Sequence, residues 1–163
     1  IPDGYILKEG DLLFAMTEQA VGLLGSTLIV PQSDYYLHNQ RLGLVQVRDG
    51  VEWDNDFFFH QFNTSSFRAA VQASASGVKV RHTSPTKLGE ITVKYPPSKL
   101  EQKQVAEKLN EIGAKRFRLE SIYQEKLTAL TELKQSLLQK AFFGELTTGK
   151  MAADQPLKEE EYA

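Results

Sequence analysis

The 163-residue sequence contains no cysteine. This absence excludes a disulfide framework, a thiolate metal site and a cysteine nucleophile. No apolar run approaches the roughly 18 residues that a membrane span needs, and no signal peptide is visible at the start. We therefore expect a cytoplasmic protein without a membrane partner. Because the first residue is Ile1 rather than methionine, we also expect a piece of a longer chain.

Motifs of catalytic and cofactor sites are equally scarce. The sequence has no glycine-rich phosphate loop and no nucleophile elbow. An acidic cluster formed by Glu52, Asp54 and Asp56 could bind a cation, but it lacks the glycine and the terminal glutamate of a calcium loop. The histidines are scattered without metal-site spacing, and they are His38, His60 and His82. We predict no metal, no cofactor and no catalytic activity, and we interpret the acidic cluster as a solvated turn.

Charge is distributed unevenly along the chain. Hydrophobic residues make up 41% and charged residues 25%, which is typical of a globular domain, and the net charge is −2. Residues 1–67 carry nine acidic and three basic side chains, whereas residues 68–94 carry five basic side chains against Glu90 alone. Two explanations of this basic stretch remain open, namely chance clustering on a solvated surface and contact with an anionic partner.

Residues 1–97 have the irregular, turn-rich pattern of a small α+β domain. Alternating and β-branched apolar residues predict strands at 12–16, 26–30, 42–48 and 91–95. Helical spacing of phenylalanines predicts a helix at 56–63, followed by a second helix capped by Ser65 or Ser66. Ser84 and Pro85 predict one further short helical turn.

Residues 98–143 contain no proline and only one glycine, and they have helical periodicity throughout. We therefore predict one long helix. Ser98 and Glu101 have the spacing of a capping box at its start, and Gly144 is a typical stop. At about 1.5 Å per residue, such a helix is about 65–70 Å long. The remaining residues, 144–163, form an acidic tail.

One edge of this helix carries a seam of apolar residues at steps of three and four, interrupted by Arg116 and Lys126. This spacing is typical of a coiled coil. A leucine seam open to water would be a large exposed apolar patch. We therefore expect a second helix to cover it, from the rest of the chain, a second copy or another protein. The seam residues are Val105, Leu109, Ile112, Leu119, Tyr123, Leu130, Leu133 and Leu137.

Several segments in this order resemble the specificity subunit of Type I restriction–modification systems. They include GDLLFAM at 10–16, LHNQRLG at 37–43 and the stretch ASASGVKVRHTSPTKLGEITVKYPP at 73–97. KLEQKQVAEKL at 99–109 and LKQSLLQKAFFGELT at 133–147 follow. No single segment is specific, but the series covers nearly the whole chain.

The resemblance implies a subunit without chemistry of its own. In that family, two target-recognition domains each recognise half of a split site in double-stranded DNA, and two long antiparallel helices set the distance between them. The subunit docks two adenine-methylating subunits and, through the complex, the restriction subunits. The resemblance assigns a target-recognition domain lacking its opening strands to 1–97 and a long conserved helix to 98–143.

Given this resemblance, we expect the loop around residues 79–87 to contact DNA, because its basic and hydroxyl side chains suit phosphates and base edges. The Asn39-Gln40-Arg41 group could also recognise a base, but such a group more often bonds its own turn. Alternatively, the chain is a coiled-coil assembly module whose globular head binds protein rather than DNA. The predicted DNA contacts are Lys79, Arg81, His82, Thr83, Ser84 and Lys87, with Arg68 as a weaker candidate.

Overall fold

The computed structural model describes residues 5–19 and 22–145. The predicted acidic tail at 144–163 therefore lies outside the described residues from 146 onward. The chain divides into two compact units, Ile1–Ile112 and Gly113–Ala163. Within the described residues, none of the helices combines the length and the apolar character that crossing a membrane requires.

In the described residues of the first unit, five short strands form two antiparallel sheets. The strand β1 lies between β3 and β4, and Leu13 of β1 pairs with Leu28 on one side and with Leu44 on the other. The second sheet pairs β2 with β5, so that Glu18 lies opposite Arg81. The strands are β1 (Leu12–Ala15), β2 (Thr17–Glu18), β3 (Thr27–Ile29), β4 (Leu42–Leu44) and β5 (Arg81–His82).

The strand prediction was correct for β1, β3 and β4, although each is shorter than expected. It was wrong at 91–95, which has no strand. Ile91 and Val93 are half-buried against the main core there, so their β-branched side chains pack without a ladder partner. The strands β2 and β5 were not predicted, because two-residue strands leave no periodic signal.

Over the described ranges, four helices follow the same order as the predicted ones. Asp54 caps the first by accepting the Phe57 N–H at 2.9 Å. Thr64 caps the second, so the prediction of Ser65 or Ser66 was wrong by one or two positions. Ser84 caps the third, as expected. The helices are α1 (Asn55–Phe62), α2 (Ser65–Ser74), α3 (Pro85–Gly89) and α4 (Lys99–Phe142).

The core of the first unit lies between the sheet and helices α1 and α2. Successive side chains of a strand point to opposite faces, so Leu12 and Phe14 join the phenylalanines of α1 and α2, whereas Leu13 joins a smaller cluster. Phe58 is almost fully buried and stacks on Trp53, with ring centroids 3.5 Å apart.

The first turns of α4 belong to the same unit. Gln102 is fully buried there, and its Oε1 accepts the Asp54 N–H at 2.9 Å. Its Nε2 donates to the carbonyl oxygens of Glu52 at 3.2 Å and Pro96 at 2.8 Å. One turn later, Ala106 is buried in the main core. The side chain of Gln102 therefore ties the start of α4 to two loops of the domain.

The ends of α4 differ in how well they were predicted. At the start, the backbone N–H of Lys99 donates to Glu52 Oε2 at 3.2 Å, and the hydrogen bonds of the described residues include no Ser98–Glu101 capping box. At the other end, Gly144 has a φ of 73°. Glu145 N donates to Lys140 O at 2.9 Å, which is the hydrogen bond of a helix that stops at a left-handed glycine. The predicted α+β architecture, with a small mixed domain followed by one long helix, is confirmed.

Candidate nucleic-acid interface

The predicted DNA-contacting segment contains a tight hairpin loop, which we call the 77–80 loop. Ser76 and His82 exchange both of their backbone hydrogen bonds, at 3.0 and 2.9 Å, and so close the loop. Gly77 has a φ of 99°, and a Cβ on it would lie 2.1 Å from the carbonyl oxygen of Val80. Only glycine fits this position without moving the backbone, which gives the loop a defined shape.

Arg81, predicted to contact DNA, holds the base of this loop. Its Nη1 lies 3.4 Å from Glu18 Oε1 and also donates to the side-chain oxygen of Gln72. Its Nη2 donates to the backbone carbonyl of Gln72 at 2.5 Å. The Arg81 side chain is 31% exposed and that of Glu18 is 1% exposed, so the pair is largely removed from water.

Glu18 is an ionised carboxylate inside the domain. Its Oε2 accepts the backbone N–H groups of residues 22–24 at 2.8 to 3.0 Å and the Gln72 Nε2 at 3.2 Å. Burial alone would raise the pKa of this carboxyl, but the donors, with Leu24 the strongest among them, outweigh burial and place the pKa below its ordinary value. A negative charge therefore faces Arg81 at neutral pH.

Two other predicted cations also have partners inside the domain. Lys87 Nζ donates to the Ser74 carbonyl at 2.7 Å and to Ser76 Oγ at 2.6 Å. Ser74 is the last residue of α2, where a cation suits the free carbonyls of a helix end. Arg68 Nε donates to Leu24 O at 3.2 Å, and its Nη2 donates to the carbonyl of Gly22. These contacts fix the segments that surround the 77–80 loop.

The remaining predicted contacts divide into buried and exposed residues. Thr83 is buried, and its backbone N–H donates to Met16 O at 3.0 Å. The hydroxyl of Ser84 accepts the Lys87 N–H at 3.3 Å as the cap of α3. Lys79 and His82 are exposed. The predicted residues from Lys79 to Lys87 therefore lie in or next to one loop, with Lys79 and His82 the most accessible to a partner, whereas Arg68 bonds the segment at 22–24.

A cleft of about 520 Å³ beside the loop was not predicted. Its wall includes Val80 of the loop together with Thr17, Gln19 and Arg41. Asn39 Oδ1 accepts the Arg41 N–H at 2.9 Å, which supports the interpretation that Asn39 bonds its own turn. The sequence could not indicate this cleft, because only the pairing of β2 with β5 brings residues near 18 and 80 together.

The acidic cluster has structural roles. Asp54 caps α1, and Glu52 accepts the N–H of Lys99 at the start of α4. In the described residues, no group of three or more histidine, cysteine, aspartate or glutamate side chains is placed to hold a metal ion. These contacts support the interpretation of the cluster as a turn rather than a cation site.

The predicted helix seam is open to solvent in the single chain. All eight of its residues are exposed, from 38% at Leu109 to 61% at Ile112 and Leu130. In the second unit the apolar surface widens around the seam to include Leu138 and the exposed Phe142. The side chains on this edge are therefore available to a partner.

Comparison with known proteins adds a family to this geometry. No protein-family model matches the chain. The specificity subunit of the Type I restriction enzyme EcoBI from Escherichia coli is 31% identical over 151 residues, which cover 90% of this chain and 29% of that subunit. The chain therefore spans less than a third of the curated relative that it matches.

A solved structure shares the fold. The crystal structure of the S subunit of a Type I restriction–modification system from M. genitalium superposes with a TM-score of 0.55 over 91% of this chain and 35% of that one. Its sequence identity is 17%, so this likeness concerns the fold alone. The sequence similarity to the EcoBI subunit and the shared fold both agree with the resemblance found in the sequence, and the chain is similar over nine tenths of its length to a specificity subunit of a Type I restriction enzyme.

Proposed function

We propose that this chain is the non-catalytic DNA-recognition module of a Type I specificity subunit and that it recognises one half of a two-part site. The observation that carries this proposal is the relationship to a specificity subunit over 90% of the chain. The chain spans only 29% of that relative. We therefore propose its recognition of DNA, its docking of other subunits and its assembly into a larger complex. We also propose that it acts in the cytoplasm, on the duplex DNA that it would recognise there.

The geometry of the 77–80 loop supports DNA contact. Lys79 is exposed on the loop, and the adjacent cleft presents Arg41 and Gln19. Lysine neutralises phosphate, whereas arginine and glutamine pair with guanine and adenine in the major groove. In this proposal Lys79 and His82 contact DNA directly, while Arg68, Arg81 and Lys87 hold the surface in shape.

The exposed seam of α4 supports a joining role. We propose that it packs against the helix of a second recognition half and that the helix docks the methyltransferase subunits, which connect the restriction subunits. Eight exposed apolar side chains at coiled-coil spacing support this assignment. If the chain is studied alone, we expect the seam to pair with a second copy as an antiparallel homodimer.

One set of observations favours the second candidate, a coiled-coil module whose head binds protein. The net charge is −2, and the cationic groups of Arg68, Arg81 and Lys87 all have partners within the domain. A head that binds protein has no need of phosphate contacts. The two candidates therefore differ in how the binding of duplex DNA responds to salt.

A salt titration of duplex binding by the whole protein with its partners separates the candidates. A DNA-recognition module should lose affinity linearly in a double-logarithmic plot, because phosphate contacts release counterions. Lys79→Ala should reduce the slope by about one unit. The matched control is Lys8→Ala, which removes an exposed lysine from a different turn and should leave the slope unchanged. Failure to bind duplex at low salt would favour the protein-binding head.

A further inference from the structure

We propose that Val78, at the tip of the 77–80 loop, selects the DNA sequence by contacting the 5-methyl group of a thymine in the major groove. This inference rests on the proposed function, and it names a specificity-determining residue that the basic pattern of the sequence did not indicate.

The tip of the loop is apolar and fully accessible. Val78 is 99% exposed, the highest value among the large hydrophobic side chains of the described residues. Val80, on the far side of Lys79, is 45% exposed and lines the adjacent cleft. Single exposed apolar residues are common on protein surfaces, so the exposure of Val78 does not by itself indicate a binding surface. Two valines that bracket a lysine at the tip of a shaped loop form a more specific surface.

The base of the loop is held in place before any partner binds. Arg81 is fixed by Glu18 and Gln72, and Lys87 Nζ bonds Ser76 Oγ at the entry to the loop. Gly77 adopts a conformation that other residues reach only with strain. A tip on such a base loses little conformational entropy on binding, and this preorganisation favours selective contact.

On the loop itself the hydrogen-bonding side chains leave few other means of choosing a base, since Arg41 and Gln19 lie in the wall of the adjacent cleft. Arg81, the residue best suited to bind guanine, already donates to Glu18 and Gln72, and the hydroxyl of Ser84 caps α3. Lys79 is a flexible point charge suited to phosphate, which is the same for every sequence. The valine side chain of Val78 makes no hydrogen bond.

An apolar tip has one sequence-dependent partner in the major groove. The groove admits a two-stranded β-ribbon, and the thymine methyl is the apolar group that distinguishes its base edges. A single antiparallel bridge between Ser76 and His82 brings two backbone segments side by side at the base of the loop, as at the end of such a ribbon. Contact between Val78 and this methyl group therefore gives the loop a preference for thymine at one position.

The contact is tested by removing either the 5-methyl group of the thymine or the γ-methyl groups of Val78. The whole protein with its partners is titrated with duplexes of its target sequence in which each thymine in turn is replaced by deoxyuridine. We expect one replacement to weaken binding about three- to fivefold, the size of one lost methyl contact. Val78→Ala should weaken binding to the unmodified duplex by a similar factor, and at that position it should no longer distinguish thymine from deoxyuridine.

Two matched variants make the test specific. Val51→Ala truncates another exposed valine of the same unit, which is 46% exposed, and it should keep the full preference for thymine. Lys79→Ala should weaken binding to both duplexes equally, because it removes a phosphate contact. Gly77→Ala must displace the loop with Val78 intact, so it should also reduce the thymine preference.

The outcomes separate this inference from the proposed function. If the unmodified complex does not prefer its target over a scrambled duplex, the proposed function fails and the inference fails with it. If it prefers its target but Val78→Ala keeps the thymine preference, only the inference is overturned. The inference is also overturned if the effects of Val78→Ala and of the deoxyuridine replacement on the free energy of binding simply add. It is overturned too if no thymine methyl group in the target affects binding.

Discussion

The two stretches of α4 that lie in different units differ in what their side chains contact. Between Lys99 and Ile112, Gln102 and Ala106 are buried in the first unit. From Ala114 to Phe143 every residue is exposed. A glutamine and an alanine are therefore the buried residues that attach the helix to the domain, while the leucines of the seam stay exposed. An apolar stripe on a helix does not by itself reveal which surface the domain uses.

This difference assigns separate tasks to the two stretches. Long helices gain most of their stability from packing an amphipathic face rather than from intrinsic propensity. The first stretch obtains that packing from its own domain. In the second stretch the seam remains a surface for association, which agrees with the joining role proposed for α4.

Reversing the chemistry of the seam should have the largest effect. Leu130→Lys combined with Leu133→Lys places two cations in the seam of the expected helix pair, where they would be desolvated. We expect the homodimer of this chain to dissociate at all accessible concentrations, with unchanged unfolding of the first unit. Sedimentation equilibrium, compared with a monomer mass of 18.3 kDa, measures the change.

The opposite edge of the helix provides the control. At about 100° per residue, Thr128 and Gln135 lie on the far side from Leu130 and Leu133. Thr128→Lys with Gln135→Lys adds the same charge there and should leave the dimer intact. An unmodified chain that remains monomeric at high concentration would contradict the assignment of the seam.

Within the first unit, removal of Glu18 should have the largest effect on stability. Glu18→Ala leaves three backbone N–H groups and Arg81 without their carboxylate. We expect the free energy of unfolding to fall by about 3 kcal/mol, measured by urea denaturation. Glu107→Ala, at an exposed position of α4, serves as the control and should change it little.

Acid tests the same carboxylate without a mutation. The pKa of Glu18 is lower in the folded protein than in the unfolded chain, so its contribution is present above about pH 4.3 and is lost as the pH falls through the folded value. Urea denaturation at a series of pH values should show this loss in the unmodified chain. Glu18→Ala should show a shallower dependence, and identical curves would contradict the role of the carboxylate.

Gln102 tests the attachment of the helix to the domain. Gln102→Ala removes three hydrogen bonds, to Asp54, Glu52 and Pro96, and should lower the free energy of unfolding by about 2 kcal/mol. Gln104→Ala changes an exposed glutamine of the same helix and should have almost no effect. Equal effects of the two variants would show that the polar contact does not attach the helix.

Gly113 should give the smallest effect and the opposite sign. A Cβ on this helical glycine meets nothing within 4 Å. Gly113→Ala should therefore stabilise the helix by about 1 kcal/mol through higher helix propensity. Thermal melting followed by circular dichroism at 222 nm measures the change, and a lower melting temperature would indicate that this position needs glycine.

The elements whose apolar residues recur at regular spacing could be predicted from the sequence. The long helix, β1, β3 and the paired helices α1 and α2 all follow from the spacing of apolar residues. The pairing of β2 with β5 could not be predicted. Each strand has only two residues, and Glu18 and Arg81 lie 63 positions apart in the sequence.

The candidate site shows the same limit. A basic stretch drew attention to this segment, but sequence alone could not tell a cation facing solvent from one bonded inside the domain. Arg81 and Lys87 look like DNA contacts by residue type, yet both bond groups of their own domain. The apolar Val78 gave no signal at all, since nothing in the sequence shows that it stands at the tip of a closed hairpin.

The most direct test of the account is a map of methylated adenines in DNA from cells that carry the full-length protein with its partners. We expect a two-part sequence with a spacer of constant length, and a change in one part alone when the 77–80 loop is altered. Methylation that is absent, or that follows a sequence unaffected by this chain, would contradict its role in DNA recognition.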